Sequence, residues 1–398
     1  MSSAVRKAPT ALLGVIAGVT PFTVDSYLPA MPVLAAHLGV GDDAVQLTLA
    51  ATMAGFAVGY LCVGPLSDRL GRRLPLLAGM ALLFAASVAC ALAADISVFF
   101  VARFVQGVGA SAATVTALAI ARDVHEGRAL VRMLGLIALM SSVAPLIAPV
   151  VGAALLAMWG WQSIFVVLGI VALVLFGACA SSIPETRQPD GADDSTWTRY
   201  ARLLSDGVFL RLLVLAGLRF TALYTFLQWA PYIFQVRLGV SVPQFGVMFA
   251  VMTLGMMVGL QASPRLAVRG VRPVLLLWLS LAIMCTAACG LAAVTLAGLG
   301  AWWTVSCLLV FMIGCGVSLP MIQTLALIAH AREAGTAAGL IGATGFGSAA
   351  LLAPLGQFLP ASGVSEPYAL AIVIAVTAAL GGAIVWGLRA RLAAPLAR

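Results

Sequence analysis

A ten-residue polar stretch, Gly64-Pro65-Leu66-Ser67-Asp68-Arg69-Leu70-Gly71-Arg72-Arg73, lies between two long apolar runs. It returns in weakened form as Ser263-Pro264-Arg265-Leu266-Ala267-Val268-Arg269-Gly270-Val271-Arg272. The offset, 263 − 64 = 199, is half of the 398 residues, and the alignment needs no gap. Pro, Gly and the final Arg recur in place, whereas Ala267 stands where Asp68 would repeat. The pattern predicts a polar loop between membrane spans, used once in each of two similar halves.

Composition supports that reading. Hydrophobic residues make up 62% of the chain and charged ones 9%, against about 25% charged in soluble domains. Mean hydropathy is +1.09. A span needs about 20 apolar residues to cross about 30 Å of hydrocarbon. Six such spans are expected near 10–32, 44–65, 74–94, 96–121, 131–157 and 160–182, and six more near 209–236, 243–263, 273–294, 299–325, 333–358 and 367–389. The expected organisation is an all-α membrane protein of twelve transmembrane helices in two pseudo-symmetric six-helix bundles, 1–182 and 209–398, joined by a linker at 183–208.

Basic residues set the expected orientation. With the N-terminus in the cytoplasm, 19 of the 22 Lys and Arg residues fall on inner loops and tails. Arg237 remains outside, alongside Asp42, Asp43, Asp95 and Glu366. Both termini are therefore expected in the cytoplasm, and the net charge of +8 reads as a topology signal, not as a nucleic-acid footprint. Arg6-Lys7 ahead of an apolar stretch imitates a signal peptide. Asp25, three prolines and the eleven later spans make it the first helix instead.

The seven cysteines lie in apolar spans with no metal or disulfide spacing, and read as small buried hydrophobes. His37, His125 and His330 do not cluster, and no GxxxxGK[ST] phosphate loop exists. No cofactor or metal is expected, and ATP-driven transport by this chain alone is disfavoured. Between the halves, Gln188 to Ser195 reads as a flexible polar linker. Trp197, Tyr200, Leu203 and Leu204 then recur at helical spacing beside Arg199 and Arg202, as in a short helix on the inner leaflet.

Three charges lie well inside spans, where each costs about 2.5–3.5 kcal/mol on insertion scales. Asp25 and Arg103 each sit seven residues below the expected outer end of their helix, about 10 Å deep. They are placed to meet if the first and fourth helices line one cavity. Asp25 is then a carboxyl that takes up and releases a proton, since desolvation and a nearby Arg shift its affinity in opposite directions. A static pair that fixes helix packing is the plainer alternative. Arg219, near the middle of the seventh span, is expected to contact Asp25, attract an electron-rich substrate, or snorkel. By the 199-residue offset Tyr224 takes the place of Asp25. Tyr27, Tyr224, Gln228 and Trp229, with Arg219, are the expected substrate-cavity residues.

The fifth span carries Ala144, Pro145, Ala148, Pro149 and Gly152. Its two prolines cannot donate backbone hydrogen bonds, which predicts a kink, and its small residues allow close helix contact. The eleventh span has a similar face in Gly335, Gly339, Gly342, Gly345 and Gly347.

Over nearly its full length the chain resembles the major facilitator superfamily. Gly64 to Arg73 matches that superfamily's motif between helices 2 and 3. Arg103, Gln106, Gly107 and Gly109 resemble its helix 4 motif, and Ala144 to Gly152 is similar to the helix 5 motif of its proton-coupled antiporters, with Ala where Gly is usual. Val24 to Pro32, Val45 to Leu49 and Ala334 to Ala338 resemble the Bcr/CflA group more narrowly, although Ser26 stands where that group usually has Met and Arg219 belongs to no motif. The resemblance implies alternating access by two rocking bundles. It also implies an inner gate formed by Gly64, Asp68, Arg69, Gly71, Arg72 and Arg73, latched against the end of helix 11.

By the same resemblance the chain is a multi-pass protein of the bacterial inner membrane. Its expected partners are protons, lipid and a bicyclomycin-, chloramphenicol- or florfenicol-type drug, and it is expected to be a monomer that binds no nucleic acid. One proton entering at 100 mV supplies about 2.3 kcal/mol for export. An uptake symporter on the same fold is the alternative. A membrane-embedded enzyme or sensor is remote, because the spans hold one Asp and no His cluster and no sizeable output domain.

Overall fold

The structure is a computed structural model, and it describes residues 10–186, 196–330 and 333–392. Among these, twelve helices are long and apolar enough to cross a membrane. The chain divides into two compact units, Met1–Thr196 and Trp197–Arg398. Arg6, Lys7 and residues 187–195 of the expected linker lie outside the described residues, as do Arg332 and Arg398.

The N-terminal half contains α1 (Thr10–Asp25), a 3-10 turn (Leu28–Ala30), α2 (Met31–Leu38), α3 (Asp42–Leu70), α4 (Arg73–Ala91), α5 (Ile96–Val124), α6 (Gly127–Trp159) and α7 (Gln162–Ser182). After α8 (Thr196–Ser205), the C-terminal half runs through α9 (Gly207–Pro231), a π-helical turn (Tyr232–Arg237), α10 (Val242–Val268), α11 (Pro273–Leu296), α12 (Ala301–Ala329) and α13 (Ala334–Leu352). A 3-10 turn (Pro354–Gln357), α14 (Phe358–Ala361) and α15 (Glu366–Leu392) follow.

One packing plan serves both halves. In the first, α5 packs on α3, α4 and α1, α6 packs on α1, and α7 packs on α4. In the second, α12 packs on α10, α11 and α9, α13 packs on α9, and α15 packs on α11. The sequence repeat is thus a repeat of contacts. Small residues make the crossings close. A Cβ on Gly107 of α5 would overlap the Thr52 carbonyl of α3, and one on Gly259 of α10 would overlap the Ile313 carbonyl of α12.

Three sequence expectations change. Most of the predicted loop is helix, because Gly64 to Leu70 form the last turns of α3, Arg73 opens α4, and only Gly71 and Arg72 lie between. Pro65 forfeits one backbone donor without breaking the helix. The turn is made instead by Gly71 at φ 89°, a conformation that favours glycine. In the second copy Ser263 to Val268 are likewise helical, and Gly270 turns the chain at φ 93°. The first span runs to Leu38 instead of ending near 32, because the chain resumes as α2 after its break. The short helix after the linker forms as α8, and it turns Tyr200 and Leu203 into the protein. Of the cysteines, Cys62, Cys285 and Cys289 are exposed on the helix surfaces.

Candidate functional site

Asp25 is the last residue of α1, and the reason lies four residues on. Pro29 has no N–H to offer the Asp25 carbonyl, so the α-helical ladder stops there and the chain turns through Leu28–Ala30 before resuming. Polar side chains tie off the helix end. The Ser26 hydroxyl donates to the Phe22 carbonyl at 2.7 Å, and the Thr23 hydroxyl donates to the Val19 carbonyl at 2.8 Å.

Helix α6 lies directly on this break. A Cβ on Gly152 would overlap the Ser26 backbone, and Gly18 of α1 sits beside Ala144. Ala148 and Pro149 are buried on the same helix, and Pro145 is half-buried. The proline-bearing motif of α6 therefore braces the interrupted first helix. Asp25 itself is 5% exposed, and among the described residues it has no hydrogen-bond or ion-pair partner. An acid so placed favours its neutral form unless something arrives to pair with its charge.

Arg103 is not that partner. Its Nη1 donates to the Thr23 carbonyl at 3.2 Å and to Gln106 Oε1 at 2.5 Å, while Gln106 Nε2 donates to Ser87 Oγ at 2.8 Å. The guanidinium lies 4.6 Å from the centre of the Tyr27 ring and 5.7 Å from that of Phe165. Among the described residues no carboxylate lies within ion-pair distance of it, and its Nε and Nη2 are unpartnered. The expected Asp25–Arg103 pair is thus replaced by a cation–π contact, because the turn after α1 brings Tyr27 to Arg103.

Tyr27, expected in a substrate cavity, is fully buried within its own half. Its hydroxyl lies 3.0 Å from that of Thr48, and its ring packs against Phe99 and Phe165. The sequence reading also missed a hydroxyl pair, Thr20 with Thr114 at 2.8 Å, which joins α1 to α5. Polar residues inside otherwise apolar spans were the available signal.

In the second half Arg219 is 5% exposed, and its Nε donates to the Ser318 hydroxyl of α12 at 2.5 Å. Its Nη1 has no partner among the described residues. Tyr224 is half-buried, stacked on Phe220 at 5.9 Å and tilted against Phe346 at 5.9 Å. Gln228 is fully buried, with both polar atoms of its amide unpartnered among the described residues. Trp229 is buried beside Gly356. On the eleventh-span face, Gly345 presses on the Phe220 ring.

The arginine-rich end of the first half carries a second cluster. Arg72 Nη1 donates to Asp68 Oδ1 at 2.6 Å and to Ser67 Oγ at 2.8 Å, and its Nε donates to Asp123 Oδ2 at 2.8 Å. Glu185 accepts the backbone N–H of Arg72 at 2.7 Å and that of Arg73 at 3.2 Å, while Arg73 Nη2 donates to the Ala180 carbonyl at 2.7 Å. Burial pulls the Arg72 guanidinium down. Hydrogen bonds and charge from Asp123 and Asp68 outweigh that, and its pKa stands above the ordinary value. Arg69 is exposed at the end of α3, while Gly64 is half-buried. Asp123 and Glu185, which hold this network, were not anticipated, since they lie far along the chain from Arg72.

Known proteins agree with the architecture. The family description of the Major Facilitator Superfamily matches residues 13–354. An uncharacterized MFS-type transporter, YdgK of Bacillus subtilis, is 32% identical over 392 residues and 96% of each chain. The multidrug resistance protein MdtL of Citrobacter koseri is 28% identical over 81% of each chain. A chloramphenicol resistance protein of Pseudomonas aeruginosa is 35% identical over 58% of this chain and 56% of that one. The crystal structure of a D-xylose-proton symporter matches with a TM-score of 0.77 at 15% identity, covering 94% of this chain and 96% of that one. The chain belongs to the Major Facilitator Superfamily: it is a multi-pass membrane transporter, not an enzyme.

Proposed function

We propose that this transporter exports a small drug of the chloramphenicol or bicyclomycin kind in exchange for protons, by alternating access. The observation that carries the reading is Asp25: an acid buried at a proline-made break in the first helix, braced by Gly152, without a partner among the described residues. Such a carboxyl is neutral while enclosed, and ionises when the break opens to water or a cation. A group that changes charge with conformation can couple a proton to a cargo. The drug-resistance names of relatives at 28% and 35% identity support the choice of cargo. The unpartnered Gln228 amide supplies a donor and an acceptor suited to the amide and hydroxyl groups of such drugs.

In this reading the protein is a monomer of the bacterial inner membrane with both termini in the cytoplasm. The Arg72 cluster holds its end of the first half in shape. The test uses inside-out vesicles acidified by respiration. Chloramphenicol, florfenicol or bicyclomycin should release protons from the lumen with the wild type and not with Asp25→Asn. Drug-driven acidification would make the protein a symporter, and an Asp25→Asn variant that still pumps a neutral drug uphill would remove Asp25 from the mechanism.

A further inference from the structure

Arg219 poses a problem that proton coupling does not solve. It lies twelve residues into α9, about 18 Å from the helix start, and is almost wholly buried. Guanidinium keeps its proton in proteins. A buried charge is costly unless matched by an opposite one. The second half has only three acids, Asp206, Glu333 and Glu366, and each is engaged elsewhere. Asp206 meets His330 at 2.9 Å, Glu333 meets Arg202 at 2.6 Å, and Glu366 meets Arg237 at 3.1 Å.

Beside Arg219 lies a small cavity between α9, α11, α12 and α15, lined by Ser280, Leu281, Met284, Ser318 and Thr377. It has room for about one water-sized particle. We propose that this cavity is a site for a small monovalent anion, of the halide class, held by the unpartnered Nη1 of Arg219. The walls suit that task. The Ser280 hydroxyl donates to the Leu277 carbonyl at 2.7 Å, and that of Thr377 donates to the Val373 carbonyl at 2.7 Å. Those carbonyls sit inside helices, where the amide four residues on already serves them. Either hydroxyl proton can therefore turn toward an anion without orphaning a backbone group. Leu281 and the flexible Met284 give the apolar side of the pocket enough play for an ion larger than water. A water molecule would satisfy Nη1 and leave the charge unmatched, whereas a halide does both.

The test takes the full-length protein in chloride-free gluconate buffer and adds sodium chloride or bromide at constant ionic strength. Unfolding temperature should rise saturably by a few degrees in either halide and not in gluconate. Bromide-soaked crystals should give an anomalous peak at hydrogen-bond distance from Arg219 Nη1. Arg219→Gln should lose the halide response, and Arg265→Gln, at an exposed arginine, should keep it. Identical unfolding of the wild type in chloride and gluconate overturns the proposal, as does a bromide-free cavity holding ordered water only. Should Arg219→Gln fail to fold, those two wild-type measurements decide alone. Asp25→Asn should show the same halide midpoint as wild type, and a response seen only in that variant would assign the charge of Arg219 to Asp25 and sink the anion site.

Discussion

Where the first half has Pro29 the second has Gln228, and the leading helix of each half behaves accordingly. Helix α1 stops at Asp25, while α9 continues through Tyr224 and Gln228 to Pro231 before it distorts. The same offset sets Thr20 against Arg219. Thr20 meets Thr114 on α5, and Arg219 meets Ser318 on α12, so each reaches the equivalent neighbour helix. One packing plan therefore carries two chemistries: an interrupted helix with a lone acid, and a continuous helix with a buried cation. The arginine-bearing ends differ in the same way. Arg72 is held by Asp68 and Asp123, whereas among the described residues Arg265 bonds only along its own helix, to the Gln261 side chain at 2.9 Å and to its carbonyl. A duplicated fold has kept its contacts and divided its tasks.

The largest expected effect breaks the comparison at the acid. Asp25→Asn should remove voltage-driven coupling, and with it about 2.3 kcal/mol per proton at 100 mV, or roughly a 50-fold drug gradient. Drug accumulation in energised inside-out vesicles measures this. Next comes the helix break. Gln228→Pro would give α9 the proline of α1 and should destabilise the protein by about 3 kcal/mol or more, read by thermal unfolding in detergent. No such cost attaches to Pro29, where the break is native.

A smaller difference separates the arginine-bearing ends. Arg72→Ala should cost about 1.5–3 kcal/mol through lost charge-assisted hydrogen bonds, and Arg265→Ala about 0.5 kcal/mol or less. Equal losses would mean that the Asp68 and Asp123 contacts carry no special weight. The smallest effect is a pH dependence. Burial pushes Asp206 up, but bonds from the Val208 amide and His330 bring its pKa below the usual carboxylate value. Its folded pKa being the lower, the stabilisation is complete above the unfolded pKa and disappears as pH falls through the folded one. Unfolding followed below about pH 4 should show a slope that Asp206→Asn flattens.

Much of the fold was legible in the sequence, and the site was so in part. Twelve spans follow from hydropathy, a property that each segment carries alone. Asp25 stood out for the same local reason, being an acid in an apolar run. Arg103 stands out equally, but its partner does not follow from the sequence. Matching depth along two helices says nothing of how each is rotated, and the break after Asp25 hands the contact to Tyr27. Pro and Gly in the polar stretch at Gly64 suggest a loop, yet a helix end tolerates Pro65 and only Gly71 has to turn.

The sequence by itself determined the spans, the internal repeat with its arginine-bearing motif, and the presence of three charges in apolar surroundings. All of these depend on composition and spacing within short stretches. The tertiary structure alone decided the partners: Tyr27 for Arg103, Ser318 for Arg219, Asp123 and Glu185 for Arg72, and among the described residues none for Asp25. Those choices join residues tens of positions apart, and they turn on helix rotation, on where a proline interrupts the ladder, and on which small residue lets a neighbouring backbone come close.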